Sequence, residues 1–299
     1  MPPFYAPETP DRIKNATGLH LITALTPNGR KAHIYLEELK ETYGLPFTIS
    51  LIDLDTNEQK KPWFLRLNPN GQLACLLQSP LTSSLILREI GRIPLLIDNT
   101  TTPHPHVVME SSAILLYLFH QVDHSQKFGF ADPQQQSQLL QWLVFWGASG
   151  QMVQGQWNYF RRNQVENDRE CFALTLEIGG FGSTAWALML ALDAKKRFHD
   201  ELLRVFHVLE AHLAGRYADP GLGREYLAGQ GRGKYTLADM NAWPWVRNFR
   251  AVGLEEEELD RLPALAAWVD RVGGRAAVQR GAFGEAYDEE ASPELVIRT

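Results

Sequence analysis

Apolar and polar residues follow different spacings along the chain, and each spacing predicts a different element. Residues 19–24 and 47–54 alternate between the two classes and are rich in strand formers, so both are predicted as strands. Between them, Thr26 is a good helix N-cap and Pro27 suits the first helical position, which predicts a helix through about Tyr43. The beginning of the chain therefore predicts a strand–helix–strand unit.

Four further elements complete a first domain. The pattern predicts a short helix over 58–67, strands over 93–98 and 106–109, and a helix over 110–122. The resulting order, β-α-β-α-β-β-α, is typical of a compact mixed sheet covered by helices. We assign this α/β domain to residues 19–123.

Beyond Pro133 the apolar residues recur only at helical spacing. This spacing occurs in four stretches: 134–162, 194–214, 236–252 and 262–272. We therefore expect an all-helical second domain over residues 133–284. Residues 1–18 are polar and Pro-rich, which predicts a flexible arm, and the acidic residues 285–299 predict a frayed tail.

Two stretches break these patterns. Residues 72–91 are mostly apolar and stand where a short turn would suffice, and residues 165–191 interrupt a charged helical run. Connections of this length are uncommon in compact domains. Two interpretations stay open: functional loops, or insertions translated from retained introns. The flanks favour the second interpretation, because removing the first stretch joins Gly71 directly to Arg92.

Composition excludes several classes of protein. The 299 residues are 44% hydrophobic and 21% charged, which is an ordinary globular balance. A net charge of −6 offers no basic face for nucleic acid. Two cysteines, Cys75 and Cys171, favour a reducing compartment, because they cannot form a disulfide framework. Without a signal peptide or an apolar stretch of spanning length, we expect a soluble cytoplasmic protein with no membrane partner.

Three local features match the parts of one ligand. Asn28 lies at a helix start, where an amide donor and free N–H groups can stabilise a thiolate. A cis bond before Pro94 would turn the backbone of Ile93 outward, toward an extended peptide. At the start of a later helix, Glu110 suits an ammonium group and Ser111 suits a carboxylate. Glutathione has a thiol, a short peptide backbone and an amino-acid head.

The strings around these features resemble the glutathione S-transferase family. They span residues 51–71, 92–98 and 110–118, and the resemblance covers about residues 19–283 apart from the two odd stretches. More narrowly, the strings resemble a fungal branch that is similar to the yeast nitrogen-catabolite regulator and to bacterial disulfide-bond reductases of the same fold. The resemblance implies a thioredoxin-like N-terminal domain, an all-helical C-terminal domain and a homodimer.

The resemblance also implies roles for individual residues. Asn28 takes the place of the Tyr, Ser or Cys found elsewhere in the family, and would donate a hydrogen bond to the glutathione sulfur. Because no cysteine stands there, chemistry through an enzyme thiolate is not expected. The remaining glutathione contacts are assigned to Gln59 for the glycyl carboxylate, Arg92 for the same end or for structure, Ile93 beside Pro94 for the cysteinyl part, and Glu110 with Ser111 for the γ-glutamyl head.

Other candidates lie in the second domain. By the same resemblance Trp157, Tyr159 and Arg161 would line a pocket for the electrophile, although some aromatic residues of this helix must be core. The run from Thr236 to Asp239 predicts an N-terminal capping box, which is folding chemistry rather than catalysis. No metal site is expected. No permanently bound cofactor is expected either, since glutathione would be a co-substrate.

These inferences predict a transferase that activates the glutathione thiol. The thiolate would conjugate electrophiles, in detoxification or secondary metabolism, or would reduce disulfides. The alternative is a non-enzymatic regulator of the same fold that binds a protein partner, although residues 1–18 lack the Asn-rich arm of the yeast relative. A scaffold subunit that keeps the fold without the ligand is a third class, against which the Glu110–Ser111 pair argues.

Overall fold

The computed structural model describes residues 4–68, 70, 92–162, 182–217, 222–288 and 290–298, with the backbone alone for 182–193. The interpretation of residues 72–91 as an insertion lies outside the described residues, as does the part of the second stretch before residue 182. From residue 182 onward that second stretch is helical.

The chain forms two compact units. Residues 1–130 and 272–299 make up the first unit, and residues 131–271 make up the second. The first unit contains the strands β1 (Leu19–Thr23), β2 (Phe47–Ile52), β3 (Leu95–Asp98), β4 (His106–Met109) and β5 (Val296–Ile297).

The strands form one sheet in the order β4-β3-β1-β2-β5. Strands β1 and β2 are parallel, with Leu19 opposite Phe47, and β5 extends β2 in parallel. Strand β3 is antiparallel to both of its neighbours, β1 and β4. All five residues of β1 are buried, as expected for the central strand.

The helices of the described residues are, in chain order, α1 (Asp11–Lys14), α2 (Pro27–Tyr43), α3 (Pro62–Leu67), α4 (Ser111–Val122), α5 (Pro133–Phe145), α6 (Gln151–Arg162), α7 (Gly182–Leu213), α8 (Leu237–Val246), α9 (Glu256–Leu259), α10 (Pro263–Gly273) and α11 (Ala276–Phe283). The predicted β-α-β-α-β-β-α order is confirmed, and so is the all-helical character of the second unit. Helix α2 begins as predicted, because the Thr26 hydroxyl accepts a hydrogen bond from the Gly29 N–H at 3.1 Å.

The N-terminal residues pack on the sheet instead of forming the predicted flexible arm. Ile13 is completely buried and Ala6 is 6% exposed, and both join a core cluster with residues of α3 and of the central strands. Arg12 also donates a hydrogen bond to the Ile49 carbonyl at 3.2 Å. The polar composition of residues 1–18 concealed the two side chains that cover this face of the sheet.

The acidic tail also differs from its prediction. Residues 296 and 297 form β5, and Ile297 is 5% exposed. Arg298 continues the edge by contacting the Asp53 carboxylate at 2.7 Å. Two apolar residues within an acidic stretch are enough to add a short strand to the edge of β2, and composition alone does not reveal them.

Helix α11 belongs to the first unit, so the helical unit ends earlier than the predicted range 133–284. Gly281 approaches α2 so closely that a Cβ atom there would lie 2.5 Å from the Ile34 Cα. Arg275, just before α11, pairs with the α2 carboxylate of Glu38 at 2.7 Å. Amphipathic spacing predicts that a segment is helical, but not which domain it packs against.

The helical unit is organised around α8. The predicted capping box is present, since the Thr236 N–H donates to the Asp239 carboxylate at 2.9 Å and the Ala238 N–H donates to the Thr236 hydroxyl. Asp239 also accepts a hydrogen bond from the Trp268 indole at 2.9 Å. Helix α5 continues through a π turn at Trp146–Gly150 into α6. Within the described ranges, no helix combines the length and apolar character that crossing a membrane requires.

The close packing of α11 on α2 predicts a large effect of one methyl group. We expect Gly281→Ala to lower the free energy of unfolding by about 1–3 kcal/mol, because the added Cβ overlaps the α2 backbone. Gly155→Ala is the matched control in another helix. Its Cβ would meet nothing nearer than 3.9 Å, so we expect no loss and a gain of up to about 1 kcal/mol. Chemical denaturation measures both, and equal effects would contradict the close approach.

Candidate functional site

Strand directions bring most of the predicted site residues to one edge of the sheet. Because β3 is antiparallel to β1 and β4, those two strands end at the edge where β3 begins. The β3–β4 register pairs Leu95 with Met109, so the next step of the ladder places Pro94 opposite Glu110. Helices α2 and α4 directly follow β1 and β4, so both helix N-termini lie at this edge.

The start of α2 positions Asn28. Thr26 is the N-cap and Pro27 the first helical residue, so the half-buried Asn28 lies in the turn whose N–H groups have no intrahelical acceptor. The next residue, Gly29, leaves no room for a side chain, because a Cβ there would lie 2.3 Å from the Thr23 hydroxyl oxygen. The first turn of α2 therefore packs directly against the end of β1.

The start of β3 carries the predicted backbone contact. The Ile93–Pro94 bond is cis, Ile93 is half-buried and Pro94 is buried. The Arg92 side chain is exposed. The Arg92 backbone carbonyl accepts a hydrogen bond from the Asn68 side chain at 2.7 Å. Asn68 is itself 1% exposed. Asn68 is not among the predicted site residues, because its turn motif, Asn-Pro-Asn-Gly, gives no sign of the distant carbonyl that it binds.

Glu110 and Ser111 mark the start of α4. Glu110 has a φ of 69°, a backbone conformation that costs a side-chain-bearing residue about 1–3 kcal/mol and persists where its surroundings fix it. Its carboxylate accepts a hydrogen bond from the Asn70 side chain at 2.8 Å. The Asn70 N–H in turn donates to Asn68 at 3.0 Å, so one turn connects the β3 start to the α4 start. Ser111 is 6% exposed.

A buried lysine lies near this edge. Lys31 lies one helical turn after Asn28 and is completely buried. Burial lowers the pKa of Lys31 to about 7, whereas the Glu110 carboxylate favours its charged form and acts in the opposite direction. Lys31 is not among the predicted site residues, although its position on the same helix face as Asn28 is a signal that the sequence contains.

Gln59 lies in a short 3₁₀ turn, Glu58–Lys60, that follows β2. It is 4% exposed, and its side-chain carbonyl has no hydrogen-bond partner among the described residues. Glu58 anchors the turn, because its buried carboxylate accepts from the Trp63 indole at 2.9 Å and pairs with Lys61 at 2.7 Å. Since β2 is parallel to β1, this turn follows the end of β2 on the side where β1 also ends.

The three predicted pocket residues of α6 do not share one surface. Trp157 is 4% exposed and its indole donates to the Val252 carbonyl at 2.7 Å, so it is a core residue. Arg161 packs against Gly253, where a Cβ would lie 2.7 Å from its Cδ. Tyr159 is 50% exposed. Residues two positions apart on a helix point about 200° apart, so Tyr159 cannot face the same way as its two neighbours.

The part of the chain that the structure describes provides no set of ligands for a metal ion. No group of three or more His, Cys, Asp or Glu side chains there could hold a metal ion. Cys75 and Cys171 both lie outside the described residues.

Comparison with known proteins identifies the class. The family model for the glutathione S-transferase N-terminal domain matches residues 26–121, and the model for the C-terminal domain matches residues 193–271. The chain is 30% identical over 273 residues to the disulfide-bond oxidoreductase YghU of Escherichia coli (strain K12), a match that covers 88% of this chain and 73% of that protein. The chain therefore belongs to the glutathione S-transferase family.

Other relatives agree with this assignment. Glutathione S-transferase 2 of Schizosaccharomyces pombe is 29% identical over 270 residues, which covers 85% of this chain and 89% of that one. The structure of a glutathione transferase from Pseudomonas putida superposes with a TM-score of 0.64 at 25% identity, covering 89% of this chain and 91% of that chain. The predicted fold, a thioredoxin-like N-terminal domain followed by a helical domain, is confirmed.

The hydrogen bonds of the Asn68 turn predict different roles for two asparagines. We expect Asn68→Ala to lower the free energy of unfolding by about 1–3 kcal/mol, because a partly buried carbonyl loses its donor. Asn70→Ala is the control, and we expect a change within about 0.5 kcal/mol, because its bond to Glu110 is exposed. Denaturant titration of both variants tests this, and an unaffected Asn68→Ala would remove Asn68 from its anchoring role.

Proposed function

We propose that this chain binds glutathione at the sheet edge described above and activates its thiol for reaction. The observation that carries the proposal is the meeting of three elements there: the α2 start with Asn28, the β3 start with Ile93, and the α4 start with Glu110 and Ser111. Two helix N-termini at one edge favour the carboxylate and the thiolate of the same ligand.

The charges at the α4 start suit the γ-glutamyl head of glutathione. The exposed Glu110 carboxylate complements the α-ammonium group, and Ser111 at the positive end of the helix dipole complements the α-carboxylate. The Ile93 backbone, at the start of the strand opposite, would pair with the cysteinyl part. Gln59, in its anchored turn, and Arg92 remain the candidates for the glycyl end.

The chemistry begins with ionisation of the thiol, whose proton passes to water. Asn28 donates a hydrogen bond to the sulfur, and the thiolate then attacks one of two kinds of partner. With an electrophile, a carbon–sulfur bond forms, and the leaving group departs with the electron pair or the neighbouring atom takes up a proton. With a disulfide, a new sulfur–sulfur bond forms, the old one breaks, and the released thiolate takes up a proton. Because an asparagine and not a cysteine stands at position 28, the nucleophile is the sulfur of glutathione itself.

The relatives support both reactions. YghU is named a disulfide-bond oxidoreductase, the fission-yeast relative is named a transferase, and the Pseudomonas structure has glutathione disulfide bound. The proposal includes a homodimer in the reducing cytoplasm that acts on electrophiles of detoxification or secondary metabolism. The low cysteine content supports the reducing compartment.

Calorimetric titration of reduced glutathione into the full chain tests the site. We expect micromolar to low-millimolar affinity. We expect Ser111→Ala to weaken that affinity about tenfold, because a charge-assisted hydrogen bond contributes about 1.5–3 kcal/mol. Ser125→Ala is a control in the same unit, after α4 has ended, and should leave the affinity unchanged. Absence of binding by the full chain would contradict the site, and the same titration without residues 72–91 would show whether that stretch obstructs it.

Asn28→Ala tests the catalytic role. We expect turnover of a model electrophile or of a mixed disulfide to fall about tenfold or more, while the glutathione affinity stays within a few fold, because the lost donor acts on the thiolate. Steady-state kinetics together with the titration separate the two effects. Equal turnover in both proteins would remove Asn28 from catalysis. Glutathione binding without turnover of either substrate class would favour the regulator.

A further inference from the structure

We propose that Asn70 is a positioning residue: it orients the Glu110 carboxylate toward the α-ammonium group of the ligand, and so makes the site selective for γ-glutamyl thiols with a free amino group. This inference rests on the proposed function, and it names the part of the ligand that the α4 start distinguishes. Asn70 is not one of the predicted site residues. Its hydrogen bonds connect the α4 start with the β3 start.

The first contact orients the carboxylate. The Asn70 side-chain amide donates a hydrogen bond to the Oε1 atom of Glu110 at 2.8 Å. The Glu110 side chain is exposed and has several rotatable bonds, so without this hydrogen bond its carboxylate would sample many directions. A carboxylate can accept on both of its oxygens. With Oε1 bound to Asn70, Oε2 is held in one direction for the ammonium group of the ligand.

The second set of contacts holds Asn70 itself. Its backbone N–H donates to the side-chain oxygen of Asn68 at 3.0 Å, and the Asn68 side-chain amide donates to the Arg92 backbone carbonyl at 2.7 Å. That carbonyl and the Ile93 N–H belong to one planar peptide group and point in opposite directions. The two asparagines therefore fix the Glu110 carboxylate relative to the peptide group that would bind the cysteinyl part.

The backbone of Glu110 is held independently of Asn70. The β3–β4 register pairs Leu95 with Met109, the residue just before Glu110. Glu110 is also the N-cap residue of α4, and its carbonyl accepts from the Ile114 N–H at 2.9 Å. Asn70→Ala therefore releases the direction of the carboxylate without releasing the backbone that carries it.

A neutral amide suits this role. Asn70 orients the carboxylate without neutralising its charge, whereas a Lys or Arg at this position would form an ion pair with Glu110 and compete with the ligand. The ammonium group of the ligand then makes a charge-assisted hydrogen bond, which is about twice as strong as a neutral one. The site should therefore distinguish glutathione from an analogue that lacks the amino group.

Calorimetric titration of two ligands into the full chain tests this selectivity. The ligands are reduced glutathione and glutaryl-cysteinyl-glycine, which is the same molecule without the α-amino group. We expect the parent protein to bind glutathione about tenfold more tightly than the analogue. Asn70→Ala should weaken the glutathione affinity about fivefold, which is the effect of one hydrogen bond, and should leave the affinity for the analogue within about twofold.

Asn15→Ala is the matched control. Asn15 is an exposed asparagine that follows α1 in the same unit. Its replacement should leave both affinities at the parent values.

Steady-state kinetics and a double-mutant cycle separate positioning from a general loss of structure. In Asn70→Ala the KM for glutathione should rise while kcat stays within about twofold, because Glu110 would contact the amino-acid head and not the reacting sulfur. In a Glu110→Gln background, Asn70→Ala should not reduce the preference for glutathione further, because its effect acts through the carboxylate.

The possible outcomes distinguish the inference from the proposed function. Equal losses of affinity for the two ligands in Asn70→Ala would mean that Asn70 only holds the turn, and would overturn the inference. A parent-like glutathione affinity in Asn70→Ala, or a parent protein that binds both ligands equally, would overturn it too, while glutathione binding by the parent protein would still support the proposed function. If the parent protein binds neither ligand, the proposed function and the inference fail together.

Discussion

The antiparallel pairing of β3 with both of its neighbours determines where the elements of the candidate site come together. Strands β1 and β4 run in the same direction on either side of it, so the two helices that follow them begin at one edge. The positive ends of both helix dipoles are then within reach of one ligand. Had β3 run parallel to β1, Ile93 would start at the opposite edge and could not lie across from Ser111.

Residues 272–299 pack in the first unit because of charge as well as of shape. Helix α2 carries Glu37 and Glu38, which are 6% and 2% exposed. A carboxylate buried to that extent requires a cation, and removing one partner of a buried pair costs about 3–5 kcal/mol. The cations come from Arg275 and Arg280, at 2.7 Å from the two carboxylates. Arg275 and Arg280 therefore hold residues 272–299 in the first unit through charge.

The sequence predicts those parts of the site whose signals are local. Three motifs can be recognised from a few neighbouring residues: the Thr-Pro-Asn-Gly helix start, the proline before β3 and the Glu-Ser pair. The structure brings all three to one edge of the sheet. Asn68 could not be found this way, because the Arg92 carbonyl that it binds is distant in sequence. The same reason explains Trp157, whose aromatic ring suited a pocket but whose indole bonds to Val252. It also explains Ile13, an apolar residue in a polar segment whose burial depends on the sheet that it covers.

A neutral donor at the α2 start is well matched to a thiol that must stay reactive. An ordinary thiol has a pKa of about 8.5. A charge-assisted hydrogen bond contributes about 1.5–3 kcal/mol and a helix N-terminus about 0.3–2 kcal/mol, against which the burial of the sulfur acts. At about 1.36 kcal/mol per pKa unit, the contacts proposed for Asn28 and the α2 start would together lower the pKa of the glutathione thiol by about one to two units. Thiolate nucleophilicity falls as the pKa falls, and the best attacking thiol has a pKa near the ambient pH. An asparagine at a helix start would therefore bring the pKa of the thiol close to the ambient pH. A cation at the same place would increase the thiolate population further, but it would lower the nucleophilicity of the thiolate.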